Sequence, residues 1–177
     1  LNEPLFGFKT AGNQPPVVIE YSSPNTNKPL HLGHIRNTLL GWSIARILEA
    51  NGNNVVKVNL VNDRGIHICK TMLAYRKWAN GAKPDDKGTK GDKFVGNLYV
   101  QFEQANKKEM GKYTDEGMSE EEAYRNSALT HEALDLLNRW EDGEKEIVDL
   151  WRTMNGWVYK GFDQTYRRLG IDFDKIY

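Results

Sequence analysis

Apolar residues at two different spacings divide the first third of the chain into three predicted elements. An apolar run over 17–22 predicts a β-strand that is buried on both faces. From His31 to Ala50 the apolar positions recur at nearly helical spacing, and Gly52 follows where a helix ends. A second apolar run, over 55–61, predicts another strand. Strand, helix and strand in this order predict a βαβ unit with parallel strands.

Helical patterns dominate the next part of the chain. A helix is predicted over 66–78, and an exposed loop rich in glycine, lysine and aspartate follows over 81–93. The capping box at 119–122 predicts the start of a helix that extends to about Trp140. Between the loop and the capping box, a short helix is indicated by four apolar residues: Val95, Leu98, Tyr99 and Phe102. A polar stretch follows it to Met118.

The last part of the chain predicts one long helix and the start of a strand. After a break at Asp142 and Gly143, apolar residues from Ile147 to Leu169 keep helical spacing. The fold class predicted is α/β, with a parallel sheet and a mostly helical insertion. Its predicted parts are a linker (1–16), the first βαβ part (17–80), the insertion (81–170) and the start of a returning strand (171–177).

Composition narrows the classes of protein that fit. A length of 177 residues allows one domain with a core, or one domain with an insertion. The formal net charge of +0 gives no bulk attraction to nucleic acid or membrane, and no apolar run has the length of a membrane span. The single cysteine, Cys69, cannot form an internal disulfide, so we expect a cytoplasmic protein. Because the first residue is Leu1 and a strand-like run stops at Tyr177, we expect a piece of a longer protein.

Candidate chemistry concentrates between the first strand and the first helix. His31 and His34 lie three residues apart, so they share one helix face and can grip one ligand. A helix N-terminus attracts phosphate, and imidazole N–H donors stabilise charge on a phosphorus under attack. Gly33 lets a flat ring or a ribose approach the backbone. These features predict ATP-dependent chemistry in half of a Rossmann-like parallel nucleotide-binding fold.

The neighbouring polar residues each have a structural alternative. Lys28 either reaches phosphate from the loop or is a solvated lysine, and Glu20 needs a cationic partner if its strand is buried. Ser22 and Asn25 either hold substrate or make an ordinary turn. The turn after the second strand adds three further candidates: Asp63, Gly65 and His67. Asp63 is equally well placed to be the N-cap of the next helix.

The stretch from Glu20 to His34, EYSSPNTNKPLHLGH, is continued by IRNTLLG and resembles the HIGH signature region of class I arginyl-tRNA synthetases. The segments 58–65 and 151–177 are similar to the corresponding parts of that family. The likeness covers most of 17–177 and is weakest over 81–120. The turn at 62–67, Asn-Asp-Arg-Gly-Ile-His, differs from the family's commoner Gly-Asp-x-Gly-x-Gln form.

This resemblance implies an arginine–tRNA ligase that uses ATP with Mg²⁺. The sequence itself shows no metal-ligand spacing. The implied partners are L-arginine and, in the full-length enzyme, tRNA(Arg), with no membrane; we expect a monomer. The implied catalytic residues are His31, His34 and Lys28. The implied ATP-binding residues are Pro24, Asn25, Lys28, Pro29, Leu30, His31, Leu32, Gly33 and His34. The implied arginine-binding residues are Glu20, Ser22, Asn25 and His34.

The same resemblance implies that further parts of the active site follow residue 177, among them a KMSKS-type loop and most guanidinium-binding residues. We therefore expect the segment alone to be inactive.

Three alternative functions remain. A free-standing nucleotidyltransferase shares the His-x-Gly-His pattern but usually has a Gly-x-Phe-Asp-Pro-like turn in place of Ser-Ser-Pro-Asn. The context of Asn25 and Lys28 argues against another class I synthetase. A non-catalytic RNA-binding module derived from a synthetase would lack the catalytic loop.

Overall fold

The computed structural model describes residues 6–10 and 12–177, so the predicted linker over 1–16 lies partly outside the described residues. Among the described residues, no helix combines the length and apolar character that crossing a membrane requires. The strands and helices, in chain order, are β1 (Val17–Glu20), α1 (Leu32–Ala50), β2 (Val55–Asn59), α2 (Ile66–Trp78), α3 (Gly91–Asp115), α4 (Glu120–Asn126), α5 (Ala128–Glu141), α6 (Lys145–Leu169) and β3 (Lys175–Ile176).

The chain divides into two compact units. The first unit contains the residues up to Asn25, together with Leu30–Asn62 and Gln164–Tyr177. The second contains Thr26–Pro29 and Asp63–Asp163. The sheet therefore lies in the first unit, and four complete helices, α2 to α5, lie in the second.

The first unit is built on a parallel sheet in the strand order β1-β2-β3. Val17 of β1 lies opposite Val55 of β2, and Val58 of β2 lies opposite Lys175 of β3. The predicted βαβ unit is thus confirmed, because α1 connects two adjacent parallel strands. The fold is α/β, half of a Rossmann-like parallel arrangement with a mostly helical insertion.

The prediction that residues 17–22 form a strand buried on both faces is wrong. The strand ends at Glu20, and its side chains alternate between half-buried and exposed. Val18 is 64% exposed, and Glu20 is exposed as well. Apolar composition indicates a strand, but it does not reveal how many faces of the sheet are covered.

Helix α1 approaches the sheet closely because its inward face carries small side chains. Its buried residues are Thr38, Gly41 and Ala45. A Cβ atom at Gly41 would lie 2.3 Å from Cβ of Tyr21, which is 1% exposed. Two of the apolar residues that gave the helical pattern, Leu39 and Ile47, are exposed, and so are Leu40 and Ile44.

A buried lysine joins β2 to the segment that leads into β3. Nζ of Lys57 lies 2.7 Å from a carboxylate oxygen of Asp172, and the backbone N–H of Lys57 donates to the carboxylate of Asp174. Burial lowers the pKa of Lys57, but the hydrogen bond to Asp172 and the charges of Asp172, Asp174 and Glu49 outweigh it, so the pKa is raised overall. Lys57 therefore stays charged and pairs with the acidic segment.

Trp42 of α1 lies between two cationic groups of the same unit. Nζ of Lys57 is 5.2 Å from the centroid of the indole, and the guanidinium of Arg46 is 5.8 Å from it. Arg46 also pairs with Glu49 at 2.6 Å on the same helix. Trp42 therefore makes two cation–π contacts within the first unit.

Three boundaries in the rest of the chain differ from the sequence prediction. The predicted short helix and polar stretch form one helix of 25 residues, α3, because its polar residues occupy an exposed face. The predicted helix from 119 to about 140 is two helices, α4 and α5, separated at Ser127, whose hydroxyl caps α5 by accepting from Thr130 N–H. The predicted strand over 171–177 contains only Lys175 and Ile176. The predicted bounds of α2 are confirmed, and its Cys69 is buried, at 2% exposure.

We predict that Gly41→Ala destabilises the protein by about 1–3 kcal/mol, because the added methyl group overpacks the contact with Tyr21. Ser43→Ala is the matched control, since Ser43 lies on the exposed side of the same helix. Urea unfolding followed by circular dichroism measures both variants. Equal midpoints for the two variants would contradict the close approach of α1.

We also predict that Cys69 resists alkylation in the folded protein. Burial, with a contribution from Glu141, raises the pKa of the thiol to about 11. At pH 8 only about one thiol in a thousand is then ionised, and the thiolate is the reactive form. Iodoacetamide labelling followed by mass spectrometry should detect Cys69 only after denaturant is added. Rapid labelling of the native protein would show that the α2 core opens.

Candidate functional site

The turn that follows β1 has a strained backbone that its neighbours hold in place. Ser22 and Ser23 have φ angles of 71° and 42°, which non-glycine residues rarely adopt. Ser23 N–H donates to Oδ1 of Asn59 at 3.0 Å, and its hydroxyl donates to Glu20 at 2.7 Å. Because strained turns persist only where surrounding contacts fix them, this turn is an ordered element that orients the exposed carboxylate of Glu20.

Ser22, predicted to contact arginine, has a buried hydroxyl in a side-chain pair. The hydroxyl lies 2.7 Å from the Tyr166 hydroxyl of α6, and Ser22 is 3% exposed. Glu20 needs no cationic partner to offset burial, because it is exposed. The substrate-binding roles of both residues stay predictions.

The loops after β1 and β2 are joined at the carboxyl ends of their strands. Asn62 N–H donates to the Pro24 carbonyl at 3.0 Å, and Asn62 Nδ2 donates to Oδ1 of Asn25 at the same distance. This bridge extends the parallel pairing beyond β1 and β2. Asn25 is therefore held at the edge of the sheet where ligands of parallel folds bind.

The two histidines cap the N-terminus of α1 in a reciprocal arrangement. His31 is the N-cap residue, and its Nδ1 accepts a hydrogen bond from Gly33 N–H at 3.1 Å. His34 is the N3 residue, and its Nδ1 accepts from His31 N–H at 3.3 Å. The ring centroids are 4.0 Å apart. The arrangement is a capping box in which imidazoles replace the usual Ser and Glu side chains.

This capping box determines which ring nitrogen can donate. A nitrogen that accepts a hydrogen bond carries no proton, so in each neutral imidazole the proton belongs on Nε2. The arrangement therefore assigns an Nε2–H donor to both His31 and His34. Two such donors at a helix N-terminus, where the helix dipole also favours anions, suit a phosphate group.

Gly33 has a second reason to lack a side chain. A Cβ atom there would lie 2.9 Å from Cε1 of His31 and 3.1 Å from its Nδ1. The imidazole that bonds to Gly33 N–H would have to move away, and the capping box would open. Glycine at this position thus favours the histidine geometry, independently of any ligand that lies on the backbone.

In the second unit, Lys28 is exposed and its Nζ lies 5.6 Å from the centroid of the Tyr99 ring. The Tyr99 hydroxyl is 3.1 Å from Nδ1 of His67. Partial burial, followed by the charge of Lys70, lowers the pKa of His67, so the imidazole is neutral at pH 7. Burial and the neighbouring Glu103 raise the pKa of Tyr99 to about 12, so its hydroxyl stays protonated.

Asp63 and Gly65 are placed by α6 and by backbone conformation. The Asp63 carboxylate accepts from the Tyr159 hydroxyl at 2.5 Å, and its carbonyl accepts from Trp151 Nε1 at 2.7 Å. The N-cap of α2 is Gly65, with a φ of 107°, and no side chain caps this helix. The alternative that Asp63 caps α2 is therefore wrong.

Sequence reasoning missed five residues that position the candidates: Asn62, Tyr99, Trp151, Tyr159 and Tyr166. Each lies 32 or more residues from its partner in the chain, so local patterns carry no signal for the contact. Among residues 6–10 and 12–177 there is no group of three or more His, Cys, Asp or Glu side chains that could hold a metal ion.

We predict that His31→Ala lowers the free energy of unfolding by about 0.5–2 kcal/mol, because the N-cap acceptor of α1 is lost. His31→Asn should retain most of the stability, since asparagine is among the preferred N-cap residues. Urea unfolding compares the two variants with the wild type. If the alanine and asparagine variants are equally destabilised, His31 does not act as a cap.

The family model described as tRNA synthetases class I (R), catalytic domain, matches residues 2–175. The arginine–tRNA ligase of Porphyromonas gingivalis is 57% identical over 173 residues, which cover 97% of this chain and 29% of that protein. The arginine–tRNA ligase of Parabacteroides distasonis is 54% identical over 176 residues, with 99% and 30% covered.

Among solved structures, Thermus thermophilus arginyl-tRNA synthetase matches with a TM-score of 0.69 and 27% identity, covering 96% of this chain and 24% of that chain. The Plasmodium falciparum arginyl-tRNA synthetase, at a TM-score of 0.59 and 20% identity, shares the fold. The chain spans less than a third of the length of the curated relatives described above. The strand, the histidine-capped helix and the match over nearly the whole chain agree, and the chain belongs to the class I tRNA synthetase (R) family, in its catalytic domain.

Proposed function

We propose that this chain is part of an arginine–tRNA ligase, which activates arginine with ATP and transfers it to tRNA(Arg). The observation that carries the proposal is the reciprocal capping of His31 and His34, in which Nδ1 of each ring accepts a backbone N–H at the start of α1 and the proton of each neutral ring is left on Nε2. The family match and the names of the relatives supply the amino acid and the tRNA. We further propose that the protein is monomeric and cytoplasmic, with the domain boundaries given by the sequence.

In the first step, a carboxylate oxygen of arginine attacks the α-phosphorus of ATP. A bond forms between that oxygen and phosphorus, the bond to the β-phosphate bridging oxygen breaks, and pyrophosphate leaves. His31 and His34 donate hydrogen bonds to the oxygens on which charge builds up, and Lys28 adds positive charge at the phosphates. Donors already fixed by the capping box need no reorganisation during the reaction.

In the second step, a hydroxyl of the terminal ribose of the tRNA attacks the carbonyl carbon of arginyl-adenylate. The ester bond forms, AMP leaves, and the hydroxyl proton is released. Glu20, Ser22 and Asn25 are proposed to hold arginine, chiefly at its α-ammonium end, which the exposed Glu20 carboxylate attracts. Asp63, Gly65 and His67 remain further candidates after β2.

ATP is expected as its magnesium complex. In such a complex the phosphate oxygens are the principal ligands of the ion, so a dedicated protein cage is not required. The nucleotide is proposed to contact the loop from Pro24 to Leu30 and the helix start from His31 to His34.

We predict that His31→Asn lowers kcat for arginylation by roughly 10²–10³-fold, the usual cost of losing one oxyanion donor. The measurement is charging of tRNA(Arg) by the longer protein that contains this chain, with lysine and glutamate as competing amino acids. Because asparagine still caps α1, the fold should remain intact. The 177-residue segment alone should give no charging.

Two results would contradict the proposal. Charging with lysine or glutamate in place of arginine would assign the chain to another amino acid. Binding of tRNA without any charging by the wild-type longer protein would indicate a non-catalytic RNA-binding module. A calorimetric titration with a non-hydrolysable arginyl-adenylate analogue, beside its lysyl and glutamyl counterparts, separates loss of binding from loss of chemistry in His31→Asn.

A further inference from the structure

Three lysines of the described residues lie over an aromatic ring, Lys28, Lys57 and Lys70, and Lys28 is the one of them without a carboxylate partner. Among the described residues, no carboxylate lies within ion-pair distance of its Nζ, and its aromatic contact is the face of Tyr99. Lys70, by comparison, pairs with Glu103 at 3.0 Å. A ring face attracts an ammonium without neutralising it, so Lys28 keeps a charge that an anion can use.

The Tyr99 ring is itself held in place. Its hydroxyl lies 3.1 Å from Nδ1 of His67 on α2, and the two rings meet edge to face with centroids 5.9 Å apart. Tyr99 is half-buried on α3. The ring under Lys28 is therefore fixed by two helices of the same unit, so it offers the ammonium a defined surface.

A second contact from α3 reaches the same loop. Gly96 lies one helical turn before Tyr99, and a Cβ atom there would lie 2.4 Å from Cδ of Pro29. Pro29 therefore rests directly on the backbone of α3. The preceding residues, Thr26 and Asn27, are 1% and 2% exposed, which anchors the loop on the other side of Lys28.

We infer that Tyr99 is a positioning residue for Lys28: it holds the ammonium over its ring face, charged and without a carboxylate partner, for the triphosphate of ATP. This inference rests on the proposed function. It assigns to α3, in the part of the chain where the family resemblance is weakest, a role in ATP binding. The contact between Gly96 and Pro29 fixes how closely the loop approaches α3, and the Tyr99 ring fixes the direction of the Lys28 side chain.

The test uses steady-state charging of tRNA(Arg) by the longer protein that contains this chain. Tyr99→Leu removes the ring, and the KM for ATP should rise roughly three- to tenfold, as expected for loss of a cation–π contact, while the KM for arginine stays unchanged. Tyr99→Phe keeps the ring and should stay within about twofold of wild type. Tyr113→Leu, on the same helix, is the matched control and should leave the KM for ATP unchanged.

A double-mutant cycle with Lys28→Met separates positioning from general damage. If Tyr99 acts through Lys28, Tyr99→Leu should have no further effect on the KM for ATP in the Lys28→Met background. An equal effect in both backgrounds, or a Tyr99→Leu enzyme with the wild-type KM for ATP, would overturn the inference.

If Tyr99→Leu does not fold, Gly96→Ala gives the second test, because its methyl group pushes Pro29 and Lys28 away from α3. The same ATP-specific defect is then expected, and a wild-type KM for ATP would overturn the inference. Absence of arginine charging by the wild-type protein is a different result, since it contradicts the proposed function itself.

Discussion

One buried side chain, Tyr21, fixes where the first helix lies. The residue is 1% exposed, its hydroxyl donates to the Asp172 carbonyl at 2.7 Å, and its ring lies 4.8 Å from that of Phe173. Helix α1 packs against it through Gly41, where even a methyl group would collide. Since α1 is a rigid rod, this contact determines where its N-terminal turn stands. His31 and His34 belong to that turn, so their chemistry depends on a tyrosine–glycine contact about two to three helical turns away.

Local patterns predicted most helices because their signals lie within a few residues. The capping box at 119–122, the break at Asp142 and Gly143 and the apolar spacing of α6 all depend on near neighbours. The burial of β1 and the face that α1 turns to the sheet depend on distant residues. The fully buried positions of α1 carry small side chains, among them Gly41 and Ala45, whereas Leu39, Leu40, Ile44 and Ile47 are exposed. The pattern of hydrophobic residues alone therefore predicts a different face of α1 as the buried one.

The candidate site shows the same division. The His-Leu-Gly-His sequence is recognisable because two functional side chains and the glycine between them are contiguous. The contacts that orient the neighbouring residues join residues that are distant in the sequence: Ser22 contacts Tyr166, Asn25 contacts Asn62, and Lys28 contacts Tyr99. These pairs have no sequence signature, since a tyrosine in a helix is usually a core residue. Geometry also changed one interpretation, because Asp63 is bound by Tyr159 and does not cap a helix.

The position of Trp42 makes the protein suitable for optical study. Of its five tryptophans, Trp42 alone belongs to the unit that contains the sheet, His31 and His34; the others are Trp78, Trp140, Trp151 and Trp157. The fluorescence of an indole depends on the electric field around its ring, and Lys57 and Arg46 place two positive charges beside this one. Replacing the other four by phenylalanine would leave a single emitter. Its emission spectrum would report conformational changes in the first unit, while the second unit would contribute no tryptophan emission.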